Sequence, residues 1–171
     1  IALLHLFSSS LLAQKKNQPI QLESMLEQYS KEYYALNPLQ ATEAGINEYN
    51  SQIEITISED YIKKAKALNQ KYLTQLAVIN KTGLTASQLL SIDVLTYKLK
   101  SENERLNNLL GFYRPVDQFV FSFSTKFATL GSGAGFVPFN TEKDYRDFIS
   151  RMKGFQTWVD QAIANMRKGV T

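Results

Sequence analysis

The chain has no cysteine among its 171 residues. A disulfide framework, a thiol nucleophile and a cysteine-ligated metal are therefore excluded for it. Histidine is almost as scarce, His5 being the only one. No His lies further along to complete a Ser-His-Asp triad, and a zinc site of the usual His/Cys kind has too few ligands here. Proline occurs four times, and no tract is rich in Pro or Ser. With no linker and no internal repeat, the sequence reads as one folded unit. A dominant charge sign is missing too: 19 Lys and Arg against 16 Asp and Glu leave +3. The basic residues are scattered apart from Lys15-Lys16 and Lys63-Lys64-Lys66. The latter alternate with core-type positions of a helix, which makes them a solvated face and argues against a nucleic-acid partner.

What is present suits a packed domain. Forty-four per cent of the residues are hydrophobic and 20% charged, enough to bury a real core. Ile1–Ala13 is apolar with small residues near its end, and the polar run QKKNQ follows. That pattern predicts residues 1–13 as part of a secretory signal peptide, entered within its apolar region, and hence an exported protein, periplasmic or secreted. The run is too short to anchor stably in a bilayer. Residues 14–171 are then the mature helical part.

Hydrophobic periodicity divides that part into helices. Leu22, Met25, Leu26, Tyr29, Tyr33 and Leu36 make an amphipathic helix, ended by Asn37-Pro38, which starts a short second one that Gly45 closes. Ile53, Ile55 and Ile57 alternate with polar residues, but a lone strand has no partner, so the connector is an extended loop. Thr56 with Glu59, or Ser58 alone, can cap the next helix, and Lys81-Thr82-Gly83 is a stop. The capping box Thr85–Gln88 opens a long helix to about Asn108. One stripe on it is Leu89, Ile92, Leu99 and Leu106. A second, Leu90, Val94 and Tyr97, lies beside it. Two stripes predict burial on more than one side. The final helix, Thr141 to about Lys168, carries Tyr145, Phe148, Ile149, Met152, Phe155, Val159, Ala162, Ile163 and Met166. Its apolar stripe reaches the last residues, which predicts that the domain continues beyond them. The fold class is all-α, a bundle of four to five helices.

Between the last two long helices lies an aromatic and glycine-rich crossover. Phe119, Phe121 and Phe123 alternate with Val120 and Ser122, which predicts an extended segment burying one face. Gly131, Gly133 and Gly135 follow, free to take positive φ and to admit another group closely. They fit a phosphate loop poorly, having neither GxxxxGK[ST] nor GxGxxG spacing and lying several residues before the helix. Asn140 or Thr141 can cap the next helix, and Asp144, three residues after Thr141, makes a capping-box variant. Glu102, Glu104, Asp144 and Asp147 read as helix surface or caps, so no catalytic residue is assigned.

The runs YYALNPLQATEAGINEYN, TASQLLSIDVLTYKLKSE, FYRPVDQF and LGSGAGFVPFNTEKDYRDFISRMKGFQTWVDQAIANMRKG resemble the N-terminal part of the DUF885 family of bacterial proteins. The resemblance spans about Tyr29 to Gly169 and is most specific in the last run. It implies a largely helical, zincin-related metallopeptidase, exported in many bacteria, whose His-Glu…Gly-His-His type motif lies well downstream. Zinc is thus expected for the full-length protein and no metal or cofactor for this part, whose partners would be the remainder of its own chain and a peptide substrate. Relatives commonly read P-x-N-Q where this chain has Pro115-Val116-Asp117-Gln118. An ionised Asp117 accepts a hydrogen bond but cannot donate one. Because flexible polar loops on rigid scaffolds carry function, Asp117, Gln118, Gly131, Gly133 and Gly135 are the candidates for a substrate-cleft wall. The alternative is a stand-alone helical module that binds peptide or protein without catalysis.

Overall fold

A computed structural model describes residues 21–108, 110–116 and 122–170. Asp117, Gln118, Phe119 and Phe121 lie outside the described residues, as do His5 and the predicted leader. Helix α1 occupies residues 21–36. It is followed by α2 (Pro38–Glu43), a 3₁₀ turn (Asn47–Tyr49), α3 (Glu59–Ala77), α4 (Ala86–Asn107), α5 (Leu110–Tyr113), α6 (Phe123–Leu130) and α7 (Glu142–Lys168). Among the described residues there is no strand. The all-α expectation holds, and the Ile53–Ile57 connector is a loop.

Local signals set most helix starts. Thr85 Oγ1 accepts the Gln88 N–H at 3.2 Å while Gln88 Oε1 accepts the Thr85 N–H at 3.0 Å, the reciprocal pattern of a capping box. Thr141 and Asp144 do the same at α7, where Asp144 Oδ2 also accepts the Asn140 N–H at 3.0 Å. The Ser58 hydroxyl accepts the Tyr61 N–H at 3.1 Å and starts α3. Gly45, just past α2, has φ +80, a left-handed C′ conformation that costs glycine nothing. Asn37 precedes α2 without a side-chain cap bond. Its amide donates instead to Tyr33 O at 2.8 Å, and its Oδ1 accepts from the Tyr61 hydroxyl at 2.6 Å.

The chain forms two compact units, to both of which α1, α3 and α4 contribute. The first takes residues up to Glu32 with Ala67–Glu104. Its core is Leu22, Tyr29, Tyr72, Leu76, Ile92, Leu95 and Leu99. Tyr29 meets Tyr72 edge-on at 5.0 Å, and the buried Asn69 donates to Asn103 Oδ1 at 2.9 Å, satisfying an amide that burial would otherwise penalise. The second α4 stripe corrects the expectation of two-sided burial: Leu90, Val94 and Tyr97 are all exposed.

The second unit takes Tyr33–Lys66 with Arg105–Thr171. One of its clusters joins Tyr61, Ala65 and Leu106, with Leu36 and Ile62 against it. The other joins Leu39, Phe127, Leu130 and Val137, packed by Ile53, Phe123, Phe136, Phe139, Phe148 and Phe155. Phe127 stacks on Phe155 at 4.3 Å, and Phe155 lies nearly parallel to Trp158 at 5.8 Å. The crossover is therefore less extended than predicted. Phe123, Phe127 and Leu130 fall at i, i+4, i+7 on α6, so a helical period overrides the alternation to which Phe123 was assigned.

On α7 the buried residues are Arg151, Trp158, Ala162 and Asn165. The predicted stripe is only partly covered, since Tyr145, Ile149, Met152 and Ile163 remain exposed. Backbone proximity explains a glycine here: a Cβ on Gly154 would stand 2.2 Å from Ile53 Cγ2. Gly154→Ala should therefore lower stability by about 1–3 kcal/mol through overpacking, despite a helix-propensity gain of about 1 kcal/mol. Gly111, in α5, has open space around it, so Gly111→Ala should be neutral or stabilising. Urea unfolding of both variants beside the wild type measures the contrast.

Candidate functional site

The polar centre of the second unit is Arg151, whose side chain is fully buried. Its Nε donates to Gln52 O at 2.9 Å, and its Nη2 donates to Tyr49 O at 3.3 Å and to the Thr42 hydroxyl. Thr42 in turn donates to Asn50 Oδ1 at 2.8 Å, and Asn50 Nδ2 donates to Asn47 Oδ1 at 3.1 Å. One guanidinium thus ties α7 to α2, to the 3₁₀ turn and to the loop after it. Its planar fork makes this possible, since a lysine offers no fixed set of directions. Burial lowers the Arg151 pKa, with Glu54 and Asp147 acting the other way. Among the described residues Nη1 has no hydrogen-bond partner.

Glu54 is the titratable neighbour of that centre. Burial pushes its carboxyl above the ordinary 4.5, against the Leu39 N–H and the charges of Arg151 and Lys126. Its Oε2 accepts the Leu39 N–H at 3.1 Å. Glu54 lines a recess of about 250 Å³ with Leu36, Pro38, Ile55, Ser58, Asp60, Tyr61 and Lys64 among its walls. Asp60 and Lys64 at its edge pair at 2.7 Å. A recessed carboxyl with a raised pKa is a recognised mark of a functional site. It is an acceptor for a ligand N–H when ionised and an O–H donor when neutral. A second cavity of about 190 Å³ lies between the loop at Thr56 and Ile57, the α3 residue Ile62, the end of α4 at Arg105 and Leu106, and α5 at Gly111 and Phe112.

The glycine candidates from sequence sit elsewhere. Gly131, Gly133 and Gly135 are exposed. Gly133 alone of the three takes positive φ, +77. Gly131 has another role, because a Cβ there would stand 2.8 Å from Phe148 Cζ. The Phe148 ring makes a close approach there. The structure brings none of the three glycines to either cavity. Glu54 and Arg151 escaped the sequence reading: Glu54 looked like the outward member of an Ile53-Glu54-Ile55 alternation, and Arg151 lies off the stripe chosen for α7. A charge set between two isoleucines of a loop was the one available hint.

Among the described residues no three His, Asp or Glu side chains converge to hold a metal ion. The donor set here does not fit zinc. Among the described residues no helix is long and apolar enough to cross a membrane.

Among the described residues these features define an all-helical protein with a buried arginine knot and a recessed carboxyl. The family described as Bacterial protein of unknown function (DUF885) matches residues 38–171, and the chain belongs to it. No curated protein and no solved structure matches the chain.

The linkage sign for Glu54 is set by its raised folded pKa. The folded state keeps a proton that the unfolded state releases above 4.5, so the contribution to stability is full below that pH and is lost as pH rises through the folded value. Glu54→Gln should leave stability at pH 7 unchanged or raised and remove this slope, as read from urea unfolding at several pH values. Arg151→Met, which strands buried carbonyls, should cost about 3 kcal/mol or more.

Proposed function

We propose that the chain is the N-terminal helical portion of an exported, metal-dependent peptidase-like hydrolase, in which it supplies scaffold and part of the substrate-cleft wall. The metal ligands belong to other polypeptide, in keeping with the lack, among the described residues, of three converging His, Asp or Glu side chains. The observation that carries this reading is the pair of uncovered apolar faces, Leu90, Val94 and Tyr97 on α4 and Tyr145, Ile149 and Met152 on α7. Contiguous exposed apolar surface on a soluble domain marks a face that packs against something else. Family membership supports the same reading, since the matched segment includes both faces.

Within the hydrolase the chain binds and orients without reacting. Asp117, Gln118 and the Gly131–Gly135 loop form the cleft wall, and the loop's backbone N–H groups can hydrogen-bond a peptide. The arginine knot holds the elements behind that wall in place. Zinc, carried elsewhere, would supply Lewis-acid activation.

The test is made on the full-length protein from its gene. Zinc at about one equivalent, peptide hydrolysis suppressed by a chelator, and a roughly tenfold higher KM for Gln118→Ala are the expected results; tenfold corresponds to losing one modest contact. Metal-free, inactive full-length protein would overturn the hydrolase reading. If the chain alone is also monomeric and freely soluble, the stand-alone binding module takes its place.

A further inference from the structure

The outer face of α7 has an order beyond mere exposure. Tyr145, Ile149, Met152, Val159, Ile163 and Met166 follow one another at steps of four and three, with Gln156 in the single polar slot. That is the repeat of a helix–helix seam, and it runs for about 30 Å at 1.5 Å per residue. Tyr145, Ile149 and Met152 are 55%, 53% and 54% exposed and Ile163 is 40% exposed, with Val159 and Met166 half-buried, so most of the seam is open. It lies beside the face that holds Arg151 and Trp158, so the apolar surface of α7 extends beyond the part its own unit covers.

We propose that this seam docks an amphipathic helix whose own four-three stripe is bordered by glutamate or aspartate. A strand, with its period of two, cannot keep apolar residues on a four-three line, whereas a helix can. The acidic border follows from charge. On the margin away from the core, α7 carries Glu142, Arg146, Lys153, Asp160 and Arg167, all exposed, three cations to two anions. Arg146 is engaged by Glu142, while Lys153 and Arg167 form no ion pair among the described residues. A second copy of this chain would bring the same cationic surplus to the same margin, which like-charge repulsion disfavours. The opposite margin is α7's own packed face, where the partner needs only apolar contact.

This inference rests on the preceding reading only in that α7 meets further polypeptide. Its test reads helix binding without metal or hydrolysis, so the two fail separately. The whole chain is titrated with two fluorescent synthetic helices of about four heptads. Both share one apolar stripe, and their margins are all-Glu or all-Lys. The Glu peptide should bind saturably, roughly tenfold or more tighter than the Lys peptide, and weaken with added salt. Ile149→Glu with Ile163→Glu should abolish binding, and Lys153→Glu with Arg167→Glu should invert the preference. These positions are exposed, and circular dichroism checks that the fold is kept. Should a variant unfold, the two-peptide comparison on the wild type still decides. Equal affinity for both peptides, no binding, or self-association that the Glu peptide does not compete would overturn the proposal.

Discussion

The second unit depends on a cation that is shielded from bulk solvent. Taking a guanidinium out of water costs several kcal/mol even after relaxation, and Arg151 recovers this through neutral oxygens, two carbonyls and a hydroxyl. At about 1.5–3 kcal/mol for each bond to a charged donor, gain and cost nearly balance. The net is small, but the alternatives are not: any packing that withdraws one acceptor leaves the charge exposed to a medium that cannot solvate it. The knot thus selects one arrangement of α2, the 3₁₀ turn, the following loop and α7 more than it stabilises it.

Aromatic rings complete what the arginine arranges. The near-parallel series Phe127, Phe155 and Trp158 runs along α6 and α7, and offset ring contacts of this kind add about 0.5–1.5 kcal/mol each beyond their buried area. Two glycines let the backbone come close enough: Gly154 meets Ile53, and Gly131 meets Phe148. Small residues at the contacts and large ones between them give the unit its fit. Glu54 sits at the edge of this packing, where the loop that supplies the Gln52 carbonyl also carries an acid into a recess.

Features written within four residues of one another were legible in the sequence. The Thr85–Gln88 and Thr141–Asp144 boxes, the Asn37-Pro38 junction and the Gly45 turn are local chemistry, and the structure contains each of them. The choice of buried face was not legible. On α4 and α7 the apolar arc exceeds what the chain covers, so periodicity alone could not say which part faces inward. On α7 the inner face includes Arg151 and Asn165, polar residues that any hydrophobic stripe assigns to water. Their acceptors, Gln52 O and Ile57 O, lie 99 and 108 residues away in sequence, too far for local pattern to reveal. Phe123 misled in the opposite sense, since its alternation with Ser122 masked its helical spacing to Phe127.

The apolar arc of α7 that its own unit leaves uncovered also bears on how the protein can change over time. A position that solvent touches is ordinarily free to drift, because most surface substitutions alter stability by less than about 0.5 kcal/mol. Ile149 and Ile163 are accessible, yet a polar replacement there would be felt by whatever helix lies against them, not by the chain's own fold. Mutational tolerance measured by folding and tolerance measured by survival should therefore part company along this one line of residues.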